Sequence, residues 1–164
     1  MAGKVIQAIR SCPQLAWLSQ ADREALASCG QLCVYEPGQV ILQPRNSCLC
    51  ILQRGRVKLY LDLAQQGERC GGQAVFELAK TGTAFGWGSW VHPERIAVSA
   101  QALSTVSVVR FELGCRVCDA GFTNVGLCMV HYLYKLLQEG GLCPPNLQAY
   151  LRLFEAKEMI SHEQ

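Results

Sequence analysis

The apolar residues of this chain change their period twice, and each change predicts a different kind of element. Across Leu15 to Cys29 they follow helical spacing behind Ser19, a residue type that caps helix N-termini, with Asp22 and Glu24 in the first turns and Gly30 as the stop. Trp17 and Leu18 before the cap, with Ala25 and Leu26 after it, predict a staple-like contact that docks this short helix onto the next part of the chain. Between Leu32 and Tyr60 the pattern turns to short strands: Val40-Ile41-Leu42, Cys48 to Leu52 and Arg56 to Leu61, punctuated by Glu36-Pro37-Gly38 and by Gln43-Pro44-Arg45-Asn46-Ser47. Leu61 to Gln73 reads as a polar, glycine-bearing hairpin loop, and Gln73 to Lys80 as the returning strand. Ser99 to Phe111, with Ala102, Ser104, Val106 and Val108 on one face, predicts a further half-buried strand. Beyond Gly114 the period is helical again. Val125, Met129, Tyr132 and Leu136, widened by Leu133 and Leu137, predict one long amphipathic helix ending at Gly140-Gly141. Pro144-Pro145 blocks its continuation, and Leu147, Tyr150, Leu151 and Phe154 mark a second, C-terminal helix. Short strands at close spacing between helical flanks imply a mainly β protein, a sandwich or barrel.

Composition narrows the class. A chain of 164 residues, half of them apolar, buries a core as one domain without staples. A net charge of +2 with 17% charged residues gives no electrostatic footprint for nucleic acid or a membrane surface. No apolar run approaches bilayer length and no secretory leader precedes the chain, so a cytoplasmic protein is expected. The ten cysteines are then expected to remain thiols, and Cys12, Cys29, Cys33, Cys48, Cys50 and Cys128 lie among apolar neighbours, as buried thiols do.

The candidate site is the stretch from Gly82 to Gln101. Three glycines within seven residues, interleaved with Phe85, Trp87 and Trp90, let backbone approach a ligand while aromatic rings wall it in. Two readings stand side by side: a pocket for a planar or apolar ligand, or rings that fill a redundant pocket and keep it shut.

Glu36-Pro37-Gly38-Gln39-Val40-Ile41, followed by Cys50-Ile51-Leu52-Gln53-Arg54-Gly55-Arg56-Val57-Lys58-Leu59-Tyr60, resembles the first half of a cyclic-nucleotide-binding domain of the catabolite-activator type. The resemblance spans roughly residues 15 to 140. It implies a jelly-roll (double-stranded β-helix) barrel with an N-terminal helix and a long C-terminal helix, occupying residues 1–140, and a short helical extension at 141–164. Gly82 to Ala102 occupies the place of the family's phosphate-binding cassette, so the resemblance implies a ligand pocket of Phe85, Gly86, Trp87, Gly88, Ser89, Trp90, Arg95 and Ala97. The long helix stands where such regulators dimerise, which implies a homodimer through Val125, Met129, Tyr132, Leu133 and Leu136.

The cassette departs from the family pattern at both of its anchors. Trp87 follows Gly86 where the family has the Glu that holds the ribose hydroxyl. Arg95-Ile96-Ala97 resembles the Arg-Ser/Thr-Ala triplet that pairs with the cyclic phosphate, but counting back along the strand from Ala102 puts Ile96 at the arginine site. A one-residue shift turns a side chain to the opposite face, and only a bulge near Ala97 would return Arg95 to the pocket. Each lost charged contact costs roughly 1.5–3 kcal/mol, enough to lower cyclic-nucleotide affinity by orders of magnitude when two are lost.

The expectation is therefore a non-enzymatic sensor or regulatory interaction module with a degenerate pocket and no cofactor. Its alternative is a genuine regulatory domain that binds cAMP or cGMP through Arg95. A further alternative is a redox or metal sensor using Cys115 and Cys118, the one CxxC, which is half of a zinc site. His92 in the cassette is read as a capping or solvent-exposed residue rather than a haem ligand, and Arg54, Arg56 and Lys58 as the solvated face of one strand. No Ser or Cys stands at catalytic spacing from a His and a carboxylate. About twenty residues after Gly141 are too few for a helix-turn-helix domain, so a partner protein rather than DNA is expected to read the signal. The start at Met1 and the polar ending Ser161-His162-Glu163-Gln164 favour a complete chain over a domain cut from a longer regulator.

Overall fold

The computed structural model describes residues 2–43, 48–63, 72–86 and 96–112. Helix α1 (Ala2–Ser11), a 3-10 turn (Pro13–Leu15) and helix α2 (Gln20–Cys29) precede strands β1 (Gly30–Tyr35), β2 (Val40–Leu42), β3 (Cys48–Arg54), β4 (Val57–Leu63), β5 (Gly72–Leu78), β6 (Ala84–Phe85), β7 (Ile96–Ala102) and β8 (Val106–Glu112). These form two four-stranded antiparallel sheets, one in the order β1-β8-β3-β6 and the other β2-β7-β4-β5. The expected antiparallel β architecture with an N-terminal helix is present. The long C-terminal helix, with Val125, Met129, Tyr132, Leu133 and Leu136, lies outside the described residues, as do Cys115, Cys118 and the 141–164 extension.

Alternation along β3 organises the interior. Leu49 and Ile51 point to one face of their sheet and pack with Val109, Phe111 and the apolar sides of both helices. Cys48, Cys50 and Leu52 point to the other face and meet Val57, Ala100, Ala102, Val106 and Val108 between the two sheets. One strand is thus buried on both sides, which is why it reads as a continuous apolar run.

Ser19 caps α2 as expected, its hydroxyl accepting from the Asp22 amide at 3.1 Å. Of the expected staple, Leu18 and Leu26 are buried in the helix-side cluster, whereas Trp17 is 64% exposed. Helix α1 has no counterpart in the sequence reading. Ten residues are marginal as an isolated helix, so its stability comes from burying Val5, Ala8 and Ile9 against the sheet, about 1.5–3 kcal/mol for each large side chain. Gly30 marks the closest approach: a Cβ there would lie 2.5 Å from Val5 Cγ1 and 2.7 Å from Phe111 Cε1.

Three sequence expectations are corrected. Ser99 to Phe111 is not one strand but β7 and β8, which belong to different sheets. Ser104 lies in the turn between them, where its hydroxyl accepts from the Arg56 amide at 3.0 Å. Arg54, Arg56 and Lys58 likewise do not share a strand. Gly55, at φ +97°, turns the chain between β3 and β4 and packs where a Cβ would run into the Thr105 carbonyl. Finally, the expectation that the cysteines remain thiols is corrected at Cys29, which is disulfide-bonded, while Cys12, Cys33, Cys48 and Cys50 are free.

Candidate functional site

The cassette starts where β6 leaves the edge of β3. Gly82, at φ +85°, donates its amide to the Leu52 carbonyl at 2.7 Å, and the Leu52 amide returns to the Thr83 carbonyl at 2.9 Å. Ala84 and Phe85 then pair with Ile51 and Cys50. Phe85 is 3% exposed and packs in the inter-sheet cluster, so it lines the barrel as part of its wall. Gly86, at φ +88°, passes so close to β3 that a Cβ would sit 2.5 Å from the Cys48 carbonyl oxygen and 2.7 Å from Leu42 Cδ1. Glycine is required here both for the backbone conformation and for the approach.

The outer edge of β6 is completed by a side chain. Gln14, buried at 8% exposure in the turn after α1, donates Nε2 to the Ala84 carbonyl at 3.1 Å and accepts from the Ala84 amide through Oε1 at 2.9 Å. The Cys12 thiol donates to the same Oε1 at 3.3 Å. An amide side chain therefore substitutes for a neighbouring strand and fixes the cassette entrance to the N-terminal helices. Sequence reading missed Gln14, because a single glutamine seventy positions from its partner leaves no periodic signal.

At the cassette's far end, β7 pairs with β4 without interruption from Ala102↔Val57 to Ile96↔Leu63. No bulge falls near Ala97, which pairs with Asp62. Ala100 and Ala102 are buried in the inter-sheet cluster, and Ile96 is in phase with them. Within this sheet the register shifts instead along β2, between Val40 and Leu42. Trp87, Gly88, Ser89, Trp90, His92 and Arg95 lie outside the described residues.

One cation enters the barrel from the opposite sheet. Arg110 on β8 donates Nη1 to the Tyr35 hydroxyl at 3.1 Å and to the Ile41 carbonyl at 3.2 Å, the carbonyl at the β2 register shift. Its Nε lies 3.4 Å from Glu112 Oε1 without hydrogen-bond geometry. Arg110 thus ties the two sheets together where the β2–β7 ladder is irregular. Burial raises the Tyr35 pKa, opposed by Arg110. The thiols beside this group are inert: burial raises Cys48 and strongly raises Cys50, so neither supplies a thiolate near neutral pH. Cys12 is pushed up to about 11, also by burial. Among the described residues no group of three or more His, Cys, Asp or Glu side chains is placed to hold a metal. No helix among them is long and apolar enough to cross a membrane.

Comparison with solved structures matches these two four-stranded sheets to the fold of cyclic-nucleotide-binding domains. The chain is similar to the regulatory subunit of a cAMP-independent protein kinase A from Trypanosoma brucei, a mutant bound to cAMP in the A site, with TM-score 0.61 and 18% identity over 93% of this chain and 51% of that one. It is similar to the corresponding subunit from Trypanosoma cruzi bound to guanosine, with TM-score 0.60 and 17% identity over 95% and 51%. It also matches the N-terminal domain of a transcriptional regulator from Streptomyces coelicolor, with TM-score 0.55 and 15% identity over 82% and 92%. No protein-family model and no curated protein matches the chain. At these identities the likeness shows the fold alone, that of cyclic-nucleotide-binding domains. The chain spans about half the length of the two trypanosome subunits.

Proposed function

We propose that this chain is a non-catalytic regulatory module whose barrel takes a neutral planar ligand, of the nucleoside kind, at a cassette without the anchors of a cyclic-nucleotide site. The observation that carries the reading is the unbroken β4–β7 ladder. The family's arginine must stand in phase with the interior residues of its strand, and here that phase falls on Ile96, Ala100 and Ala102. Sequence adds Trp87 directly after Gly86, where the family's ribose-binding carboxylate stands. An aromatic ring at that point suits a base or another flat apolar group. The guanosine complex of the T. cruzi protein is a precedent for a nucleoside in this fold.

Titration calorimetry of the full chain with guanosine, cAMP and cGMP tests the proposal. The nucleoside is expected to bind more tightly than either cyclic nucleotide. Tighter binding of cAMP or cGMP, abolished by Arg95→Ala, would overturn it in favour of a genuine cyclic-nucleotide receptor. The module is proposed to act as a homodimer through the helix bearing Val125, Met129, Tyr132, Leu133 and Leu136. Met129→Glu is expected to sediment as a monomer, and a monomeric wild type would refute the dimer.

A further inference from the structure

Cys29 stands where the run of strands begins and ends. It is the last residue of α2, half-buried against the helix-side cluster, and it is disulfide-bonded. Gly30, the next residue, pairs with Phe111, so Cys29 lies beside the end of β8 at Glu112. The Ser28 hydroxyl is 3.7 Å from Cys29 Sγ. Every other cysteine among the described residues, Cys12, Cys33, Cys48 and Cys50, is a free thiol.

A disulfide needs its two Cα atoms about 4.4–6.8 Å apart. Cys115 and Cys118 follow Glu112 by three and six residues, lengths over which an extended chain spans at most about 10 and 20 Å. Either sulfur therefore reaches Cys29 with β8 left fully paired. Cys70 is tethered by two residues to Gly72 of β5, in the other sheet, about 10 Å away across the inter-sheet cluster. Cys128 and Cys143 follow Glu112 by more than fifteen residues each, so the path of the chain does not hold them near Cys29.

We propose that Cys29 and the Cys115-x-x-Cys118 pair form a thiol–disulfide exchange site, with Cys29 bonded to one sulfur of the pair while the other stays a thiol, and with small dithiols as its substrate class. Exchange within the site conserves electrons. The free thiol of the pair gives up its proton and attacks the neighbouring sulfur; the bond to Cys29 breaks as the bond within the pair forms, and the departing Cys29 thiolate takes up a proton. The Ser28 hydroxyl stands where it can donate to that thiolate. A dithiol from outside opens either disulfide in two such attacks and leaves as its own disulfide, its two electrons and two protons passing to the protein's sulfurs. The link to Cys29 closes a loop that contains β1 to β8, whereas the link within the pair encloses two residues. Exchange thereby trades a staple around the whole sandwich, which restricts the unfolded chain, for a local one. The site is independent of the barrel ligand and stands whether or not a nucleoside binds.

The test is a disulfide map of the full chain, quenched in acid, alkylated and digested with trypsin without reduction. Cleavage after Arg116 separates Cys115 from Cys118, and fragmentation assigns the sulfurs within each linked peptide. Cys29 is expected joined to Cys115 or Cys118, alongside a second isomer of equal intact mass in which Cys29 is alkylated and Cys115 is joined to Cys118; dithiothreitol should remove both. Cys115→Ser and Cys118→Ser are each expected to keep Cys29 bonded to the remaining cysteine. The oxidised wild type should unfold at a higher urea midpoint than Cys29→Ser, and reduction should bring the two together. Cys29 joined to Cys70, Cys128 or Cys143, or alkylated throughout, would overturn the pairing. A link that survives in only one of the two serine variants would overturn exchange in favour of a fixed disulfide, and equal midpoints before reduction would overturn the staple.

Discussion

Two glycines offer a controlled measurement of how closely the cassette approaches the barrel. Gly38 and Gly86 both hold φ at +88°, so alanine at either pays the same backbone penalty, about 1–2 kcal/mol. The unfolded-chain entropy lost on replacing glycine, about 0.4–1 kcal/mol, is also common to both and cancels in the difference. What differs is the space. A Cβ at Gly38 meets nothing within 4 Å, whereas at Gly86 it lies 2.5 Å from the Cys48 carbonyl oxygen and 2.7 Å from Leu42 Cδ1. The Leu42 methyl can rotate aside, but the carbonyl belongs to β3 and cannot move without shifting the central strand. Overpacking of this kind costs about 1–3 kcal/mol. Gly86→Ala should therefore be less stable than Gly38→Ala by about 1–3 kcal/mol, read as a lower urea midpoint at unchanged slope. Equal midpoints for the two variants would refute the close approach, and with it the placement of the cassette entrance against β3.

Two further predictions concern the residues that hold this entrance. Gln14→Met removes both hydrogen bonds to the buried Ala84 peptide and should cost about 2–4 kcal/mol, with faster exchange of the Ala84 amide; unchanged exchange would refute the bracket. Cys12, raised from 9.0 to about 11 by burial, keeps its proton in the fold at pH values where the unfolded chain releases it. Its contribution is complete below pH 9 and is lost as pH rises toward 11, about 2–3 kcal/mol in all. Denaturation of wild type against Cys12→Ala across that range should show the difference narrowing, and a constant difference would refute the burial.

Local chemistry made part of the fold legible in the sequence. The Ser19 cap and the Glu36-Pro37-Gly38 turn depend on bonds within a few residues, the turn being closed by Gln39 N to the Glu36 carbonyl at 3.0 Å. Ser99 to Phe111 read as one strand because its alternation continues through Ser104, with no glycine or proline to interrupt it. The turn there is held from outside, by Arg56 N on Ser104 and by Leu103 N on the Arg56 carbonyl at 2.9 Å. The candidate site shows the same division. Gly82 and Gly86 announce tight backbone by residue type, and both have positive φ. Gln14 and Arg110 act through partners distant in sequence, so neither gave a pattern. Helix α1 carries a helical stripe at Val5, Ala8 and Ile9, but no capping residue precedes it and the stripe spans little more than one turn, so it gave no boundary signal.

The double burial of β3 bears on how the domain comes apart. The helix-side cluster and the inter-sheet cluster alternate along the same backbone, so neither can melt while the other keeps its packing. The N-terminal helices and the sandwich therefore form a single cooperative unit. Probes on either side of β3 should report one unfolding transition.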